Sequence, residues 1–138
     1  MKKASIGFLL TVALAFSGML YAQEEAPHVF TIVTWETLSP EDGSDAERDS
    51  LVAIWVENAT KKNEFIVNHT RMTHLYGANS SDYVVINEYK NFADIEKAQS
   101  RNNELFREFM PDDEARAKFF KAFFSYFGHH SDEIYQGN

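Results

Sequence analysis

Five histidines and no cysteine set the terms for acid/base or metal chemistry in this chain. They are His28, His69, His74 and the adjacent pair His129 and His130, and Asp132 and Glu133 follow the pair closely. A zinc site needs three or four converging nitrogen, sulfur or oxygen donors. Side chains alternate along a strand, so His69 and His74, five residues apart, point to opposite faces, as do His129 and His130. No metal is therefore expected. A His–Asp dyad at His74/Asp132 or His130/Asp132 is conceivable, with the carboxylate fixing the imidazole tautomer. The plainer reading of the same residues is a charged edge strand that resists unwanted pairing. Nucleophilic catalysis lacks its residues: there is no Cys, no Gly-x-Ser-x-Gly and no glycine-rich phosphate loop. No catalytic residue is assigned, and no cofactor is expected.

The elements that must position these groups follow from pattern. Residues 28–37 are rich in Val, Ile, Thr, Phe and Trp and form a strand ending near Trp35. Residues 38–49 are a loop of Pro, Gly and acids, with Ser44 or Asp45 placed to cap a helix. Leu51, Ile54, Trp55 and Asn58 recur at helical spacing, and that helix should run to about Asn63. Residues 64–76 alternate and predict a second strand, the turn cluster 77–82 stops it, and residues 82–90 return as a third. Asn91 with Asp94 resembles a capping box opening a second helix, and Pro111-Asp112-Asp113 opens a third. The third helix carries Phe119, Phe120, Phe123, Phe124 and Phe127, and Gly128 would cap it in the left-handed conformation. Five phenylalanines at core spacing read as core or interface, not as a membrane-inserting face. The last strand contains the histidine pair.

The order β-α-β-β-α-(α)-β predicts an α+β, ferredoxin-like domain: a four-stranded antiparallel sheet with helices on one face. If the uncovered face is apolar, a second copy of the chain is its simplest cover.

The first residues show two lysines, Lys2 and Lys3, an apolar run over residues 6–20, and Ala22 before an acidic stretch. That is the form of a cleaved secretory signal over residues 1–22, leaving one domain at 23–138. Its removal takes two positive charges and no acid, moving the net charge from −8 to −10. So acidic a chain lacks the basic footprint of a nucleic-acid binder, and no stable membrane association is expected after cleavage. The expected location is the periplasm or exterior of a Gram-negative bacterium.

The stretch DYVVINEYKNFADIEKA resembles the third strand and second helix of the dimeric α/β-barrel proteins, which include antibiotic-biosynthesis-type monooxygenases and stress-responsive barrel domains. Tyr89, Asn91, Ile95 and Ala98 occupy that frame. Asn87 and Ala98 stand where many monooxygenase-type members carry an acid and a histidine, so the chemistry is not carried over with the fold. The resemblance implies a homodimeric barrel with the Asn87/Tyr89 side of the sheet turned inward. If Tyr76 pairs with Tyr83, then His74 faces Val85, Met72 faces Asn87 and Arg71 faces Glu88. His74, Tyr76, Met72, Tyr83, Asn87 and Tyr89 would then line a semi-polar cavity. Trp35 would cap it, and at most one of the doublet, with His130 as the candidate, would join them. The expected function is binding of a small hydrophobic or aromatic ligand by an exported homodimer. The alternatives are a cofactor-independent monooxygenase- or isomerase-like enzyme, with His74, Asn87 and Tyr89 acting on a phenol, and a structural dimer without ligand.

Overall fold

The computed structural model describes residues 26–138, so the secretory leader read at 1–22 lies outside the described residues. The chain runs β1 (Val29–Thr37), α1 (Asp45–Asn58), a 3₁₀ turn (Thr60–Lys62), β2 (Asn68–Thr73), β3 (Asp82–Tyr89), α2 (Ala93–Phe109), α3 (Asp113–Ser125) and β4 (Phe127–Gln136). The strands form one sheet in the order β2-β3-β1-β4, every neighbouring pair antiparallel. This is the ferredoxin-like α+β arrangement.

Each helix starts where a short polar side chain can satisfy its free N–H groups. Ser44 Oγ accepts from the Glu47 N–H at 3.1 Å, and Asp112 Oδ1 from the Ala115 N–H at 2.7 Å. Asn91 Oδ1 accepts from the Asp94 N–H at 3.2 Å while its amide donates to the Asp94 carboxylate at 2.8 Å. The start of α1 is tied to the far end of the chain by Tyr126, whose hydroxyl accepts from the Ser44 N–H and donates to Glu47. That ring lies so close to Gly43 that a Cβ there would stand 2.6 Å from the Tyr126 oxygen, which is why the loop carries glycine.

Two packed clusters hold the fold. Val52, Val56, Tyr83, Tyr126 and Phe127 join α1 to the sheet, whereas Ala59, Leu105, Phe106 and Phe119 join the three helices to one another. Leu51, Trp55 and Phe123 touch both clusters. Phe106 is the largest fully buried side chain, with its ring 4.8 Å from Phe119 and 5.0 Å from Trp55. The helices α2 and α3 thus pack on α1 and on each other, and part of the sheet below them stays unfilled.

Asn63 fastens the connection from α1 to β2. Its buried amide donates to the Ala98 carbonyl at 2.8 Å and to Asn102 Oδ1 at 2.7 Å, and its oxygen accepts from the Phe65 N–H at 3.0 Å. The expected long helix therefore ends at Asn58, and the chain passes through the 3₁₀ turn into this fixed corner.

Three expectations need correction. The strand expected over 64–76 spans only Asn68–Thr73, because the Asn63 corner occupies its start and Leu75 and Tyr76 stand 96% exposed in the loop that follows. The hairpin register differs by three residues: Asn68 faces Glu88, His69 faces Asn87, Arg71 faces Val85 and Thr73 faces Tyr83. An odd shift moves every β2 side chain to the other face. Arg71 and Glu88 consequently form no cross-strand pair, and Glu88 instead meets His28 Nδ1 at 2.5 Å. Gly128 is no left-handed cap either; Tyr126 closes α3 and Gly128 already lies within β4.

Candidate functional site

The unfilled space between sheet and helices is a cavity of about 470 Å³. Its floor comes from alternate residues on all four strands: Val33 and Trp35 on β1, His69 and Arg71 on β2, Tyr83, Val85 and Asn87 on β3, Asp132 on β4. Val52, Trp55, Val56 and Thr60 wall it from the α1 side. Asn102 and Asn103 come from α2, and Phe120, Phe123 and Phe124 from α3. Arg71, Asn103, Phe124 and Asp132 are exposed and stand at its rim. Both tryptophans of the sequence line this one space.

The walls are mostly hydrocarbon and aromatic. Trp35 meets Phe127 edge-on at 5.6 Å and Trp55 meets Phe120 at 5.7 Å, geometries that aromatic quadrupoles favour. Among the polar lining, His69 is distinctive. Its Nδ1 lies 2.7 Å from Asn87 Oδ1, while its buried Nε2 has no hydrogen-bond partner among the described residues. An amide oxygen only accepts, so the contact requires a proton on Nδ1 and leaves the lone pair on Nε2. Burial pushes the imidazole below its usual pKa, the charges of Arg71 and Lys61 act in the same direction, and the Asn87 bond opposes them. Tyr83 is pushed up from its ordinary value, again chiefly by burial, so it stays a neutral phenol. At the polar corner, Asn102 accepts from Asn63 through its oxygen.

The expected site residues separate by place. Trp35, Tyr83 and Asn87 lie in the cavity wall. Tyr89 is buried on the same side of the sheet, and its hydroxyl accepts from Thr31 Oγ1 at 3.5 Å. His130 lies outside the wall, its ring 4.1 Å from Trp35 and its Nε2 3.0 Å from Asp132. Met72 is on the opposite face, paired with Val84 and 45% exposed. Tyr76 is out in solvent. His74 sits in the hairpin loop, its ring beside Gly77 and its N–H bonded to the Asp82 carbonyl. The Asn87 side, expected to face the interior of a two-subunit barrel, faces the chain's own helices. The residues that pattern reading missed are His69, Arg71, Trp55 and Asn102. The signal for the first two was their two-residue spacing on β2, obscured by the misplaced register.

Among the described residues, the only imidazole and the only carboxylate lining the cavity, His69 and Asp132, stand on the two edge strands. Three strand spacings of about 4.8 Å and an offset of two residues along the strands separate them, roughly 16 Å in all. Among the described residues no three His, Cys, Asp or Glu side chains come together as metal ligands, and no helix is long and apolar enough to cross a membrane.

No protein-family model matches the chain, and no curated protein matches it. Solved structures do. The chain is similar to a putative antibiotic biosynthesis monooxygenase from Caulobacter crescentus CB15, with 11% identity over 83% of this chain and 92% of that one at a TM-score of 0.55. It is similar to SnoaB, a cofactor-independent oxygenase from Streptomyces nogalater, with 15% identity, 82% and 95% coverage and a TM-score of 0.53. A dimeric ferredoxin-like protein of unknown function from Thermobifida fusca matches with 7% identity, 81% and 92% coverage and a TM-score of 0.54. At such identities the likeness is one of backbone alone, and it shows the ferredoxin-like fold.

Proposed function

We propose that this chain binds a small hydrophobic or aromatic ligand in the cavity between its sheet and helices, as an exported homodimer. The observation that carries the reading is the cavity itself: about 470 Å³, walled by two tryptophans and three α3 phenylalanines, with a few polar groups at defined points. Mostly apolar walls with sparse, convergent polar groups are the usual form of a small-molecule site. Dimerisation rests on the other face of the sheet, where Phe30, Ile32, Val84, Ile86, Met72 and Tyr135 share one side. A protein of similar backbone is described as dimeric, which supports the same reading. Export rests on the leader-like residues 1–22.

A second reading, a cofactor-independent monooxygenase-like enzyme, is favoured by one observation: an imidazole in the cavity wall, His69, whose buried Nε2 has no partner among the described residues. SnoaB, described as such an oxygenase, shares the backbone. Turnover of phenolic substrates without added cofactor, measured as oxygen uptake, separates the enzyme from the binding domain.

Because Trp35 and Trp55 are the only tryptophans and both line the cavity, selectively excited tryptophan fluorescence reports on that space. Titration with a small phenol, corrected against free tryptophan amide, should quench it saturably. Linear quenching with no saturation would contradict the binding reading. Light scattering after gel filtration should give twice the chain mass, and Ile86→Asp on the outer face should give the monomer. A wild-type monomer would remove the dimer from the account.

A further inference from the structure

The cavity opens along a row of residues that is charged at both ends and apolar between them. Arg71 faces Val85, Val85 faces Val33 and Val33 faces Asp132, so the row runs straight across the sheet from one edge strand to the other. Three strand spacings of about 4.8 Å put its ends roughly 14 Å apart. All four residues line the cavity, and both charged side chains are exposed at its rim, where a molecule entering from solvent meets them. The two ends differ in one respect. Asp132 has His130 Nε2 at 3.0 Å, whereas Arg71 meets no carboxylate among the described residues. Arg48, Arg101 and Arg116 each meet at least one. Arg107 also has none, but it does not line this space. With 21 acidic against 13 basic side chains in the chain, a shortage of acids does not explain why Arg71 lacks one.

We propose that the site takes a hydrophobic monocarboxylic acid, its apolar body lying over Val33 and Val85 between the tryptophans and its carboxylate paired with the Arg71 guanidinium at the rim. This rests on the cavity being a ligand site and adds the charge its ligand must carry and the end at which it carries it.

The neighbouring charges leave Arg71 as the attractive end. On β2, His69 is held below its usual pKa, chiefly by burial, and on β3 Tyr83 is held neutral by burial. From α1, Asp49 stands near enough to act on Tyr83, but it is bonded to Arg48. Lys61 on the 3₁₀ turn is paired with Glu57. The cavity residues of α1, α2 and α3 carry no charge. The guanidinium itself offers a planar fork of N–H donors that fits the two oxygens of a carboxylate. At the rim the head group keeps part of its water, so pairing does not carry the full cost of burying a charge. A primary amide of the same shape fits the same walls but brings no charge to Arg71. A second carboxylate at the far end of the ligand would meet Asp132, which disfavours diacids.

The probes are para-propylbenzoate, its neutral amide para-propylbenzamide, and propanoate, which keeps the charge without the ring. Each is titrated calorimetrically into the full mature protein. The benzoate should bind about fivefold or more tightly than the benzamide, the size expected of a charge-assisted pair at an exposed site. Propanoate should show no saturable binding at concentrations that saturate the benzoate. Raising the ionic strength from about 0.01 M to about 1 M cuts the screening length from about 30 Å to about 3 Å. That should bring the benzoate down towards the benzamide and leave the benzamide little changed. Arg71→Gln should bring the two affinities together by lowering that of the benzoate alone, and Arg71→Lys should retain part of the difference. NMR of the wild type adds a readout that does not depend on a variant folding. The indole N–H signals of Trp35 and Trp55 should shift with both ring probes, and the Arg71 Nε–H signal with the benzoate only. Equal wild-type affinities for benzoate and benzamide, or a preference that survives Arg71→Gln, would overturn the role of Arg71 and leave the cavity reading standing. Propanoate binding as tightly as the benzoate would overturn it too, since the anion would then need no body in the cavity. Absence of saturable indole shifts with both ring probes would remove the cavity reading and this inference together.

Discussion

The helical layer and the sheet–helix interface solve the same packing problem in opposite ways. Between α1, α2 and α3 the space is closed: Ala59 and Phe106 are fully buried, and Phe106 is surrounded by the rings of Trp55, Phe109, Phe119 and Phe120. Between β1, β3 and those helices a cavity of about 470 Å³ stays open, with His69 in its floor, whose buried Nε2 has no partner among the described residues. The difference teaches where stability and binding reside. Close packing in one layer supplies the stability that lets the other keep a void and an unsatisfied polar atom, a division common where binding requires locally unfavourable structure.

Breaking the closed layer should have the largest effect. Phe106→Ala removes a buried ring shared by both helix pairs and should cost about 3–5 kcal/mol, measured by urea unfolding; a loss under about 1 kcal/mol would mean that layer is not the stabilising one. Asn63→Ala comes next, since it leaves the Asn102 oxygen and the Phe65 N–H without the partner Asn63 supplies and removes a second bond to the Ala98 carbonyl. The expected loss is about 1–3 kcal/mol, accompanied by faster amide exchange at the start of β2.

The open layer should respond in the other direction. The double variant His69→Phe with Asn87→Leu replaces both members of a polar pair by apolar groups and removes the unpaired nitrogen. It should gain about 1 kcal/mol in the same unfolding assay. A destabilised double variant would show that the pair is structural. The smallest effect is in pH dependence. His69 is depressed in the folded chain, so the unfolded chain binds its proton more readily. The stability held by the neutral ring is fully present above the unfolded value of about 6.5, and it is lost as pH falls from there toward the folded value. The slope is at most about 1.4 kcal/mol per pH unit. Wild type minus His69→Phe, compared at neutral pH and about one unit below 6.5, isolates it.

The sequence made some of this legible and hid the rest for physical reasons. Element order and helix starts were readable because they are written locally: Ser44, Asn91 and Asp112 cap through their own side chains. The hairpin register was not, because it is set from a distance. Asn63 on one side is anchored to α2, β1 on the other pairs with β3 from Val29 to Glu36, and the loop between them is long enough to accept either alignment. Leu75 and Tyr76 continue the alternation of a strand, yet no neighbour pairs with them and they lie in solvent. A three-residue error then carried Met72 into the supposed site and His69 out of it. The doublet His129-His130 drew attention by sequence alone, whereas His69 matters through burial, which sequence does not display. The cavity arises from how α2 and α3 lean on α1, a tertiary fact with no local signature.

The central claim is that the space over β1 and β3 takes a ligand. The most direct measurement is an NMR titration of the labelled mature protein with para-nitrophenol, following the backbone amides and the two indole N–H signals. The account predicts saturable shifts at Trp35, Trp55, His69, Val85 and Asn87, with Ile32, Val84 and Ile86 on the outer face responding far less. Saturable shifts centred on that outer face, or none anywhere, would contradict it.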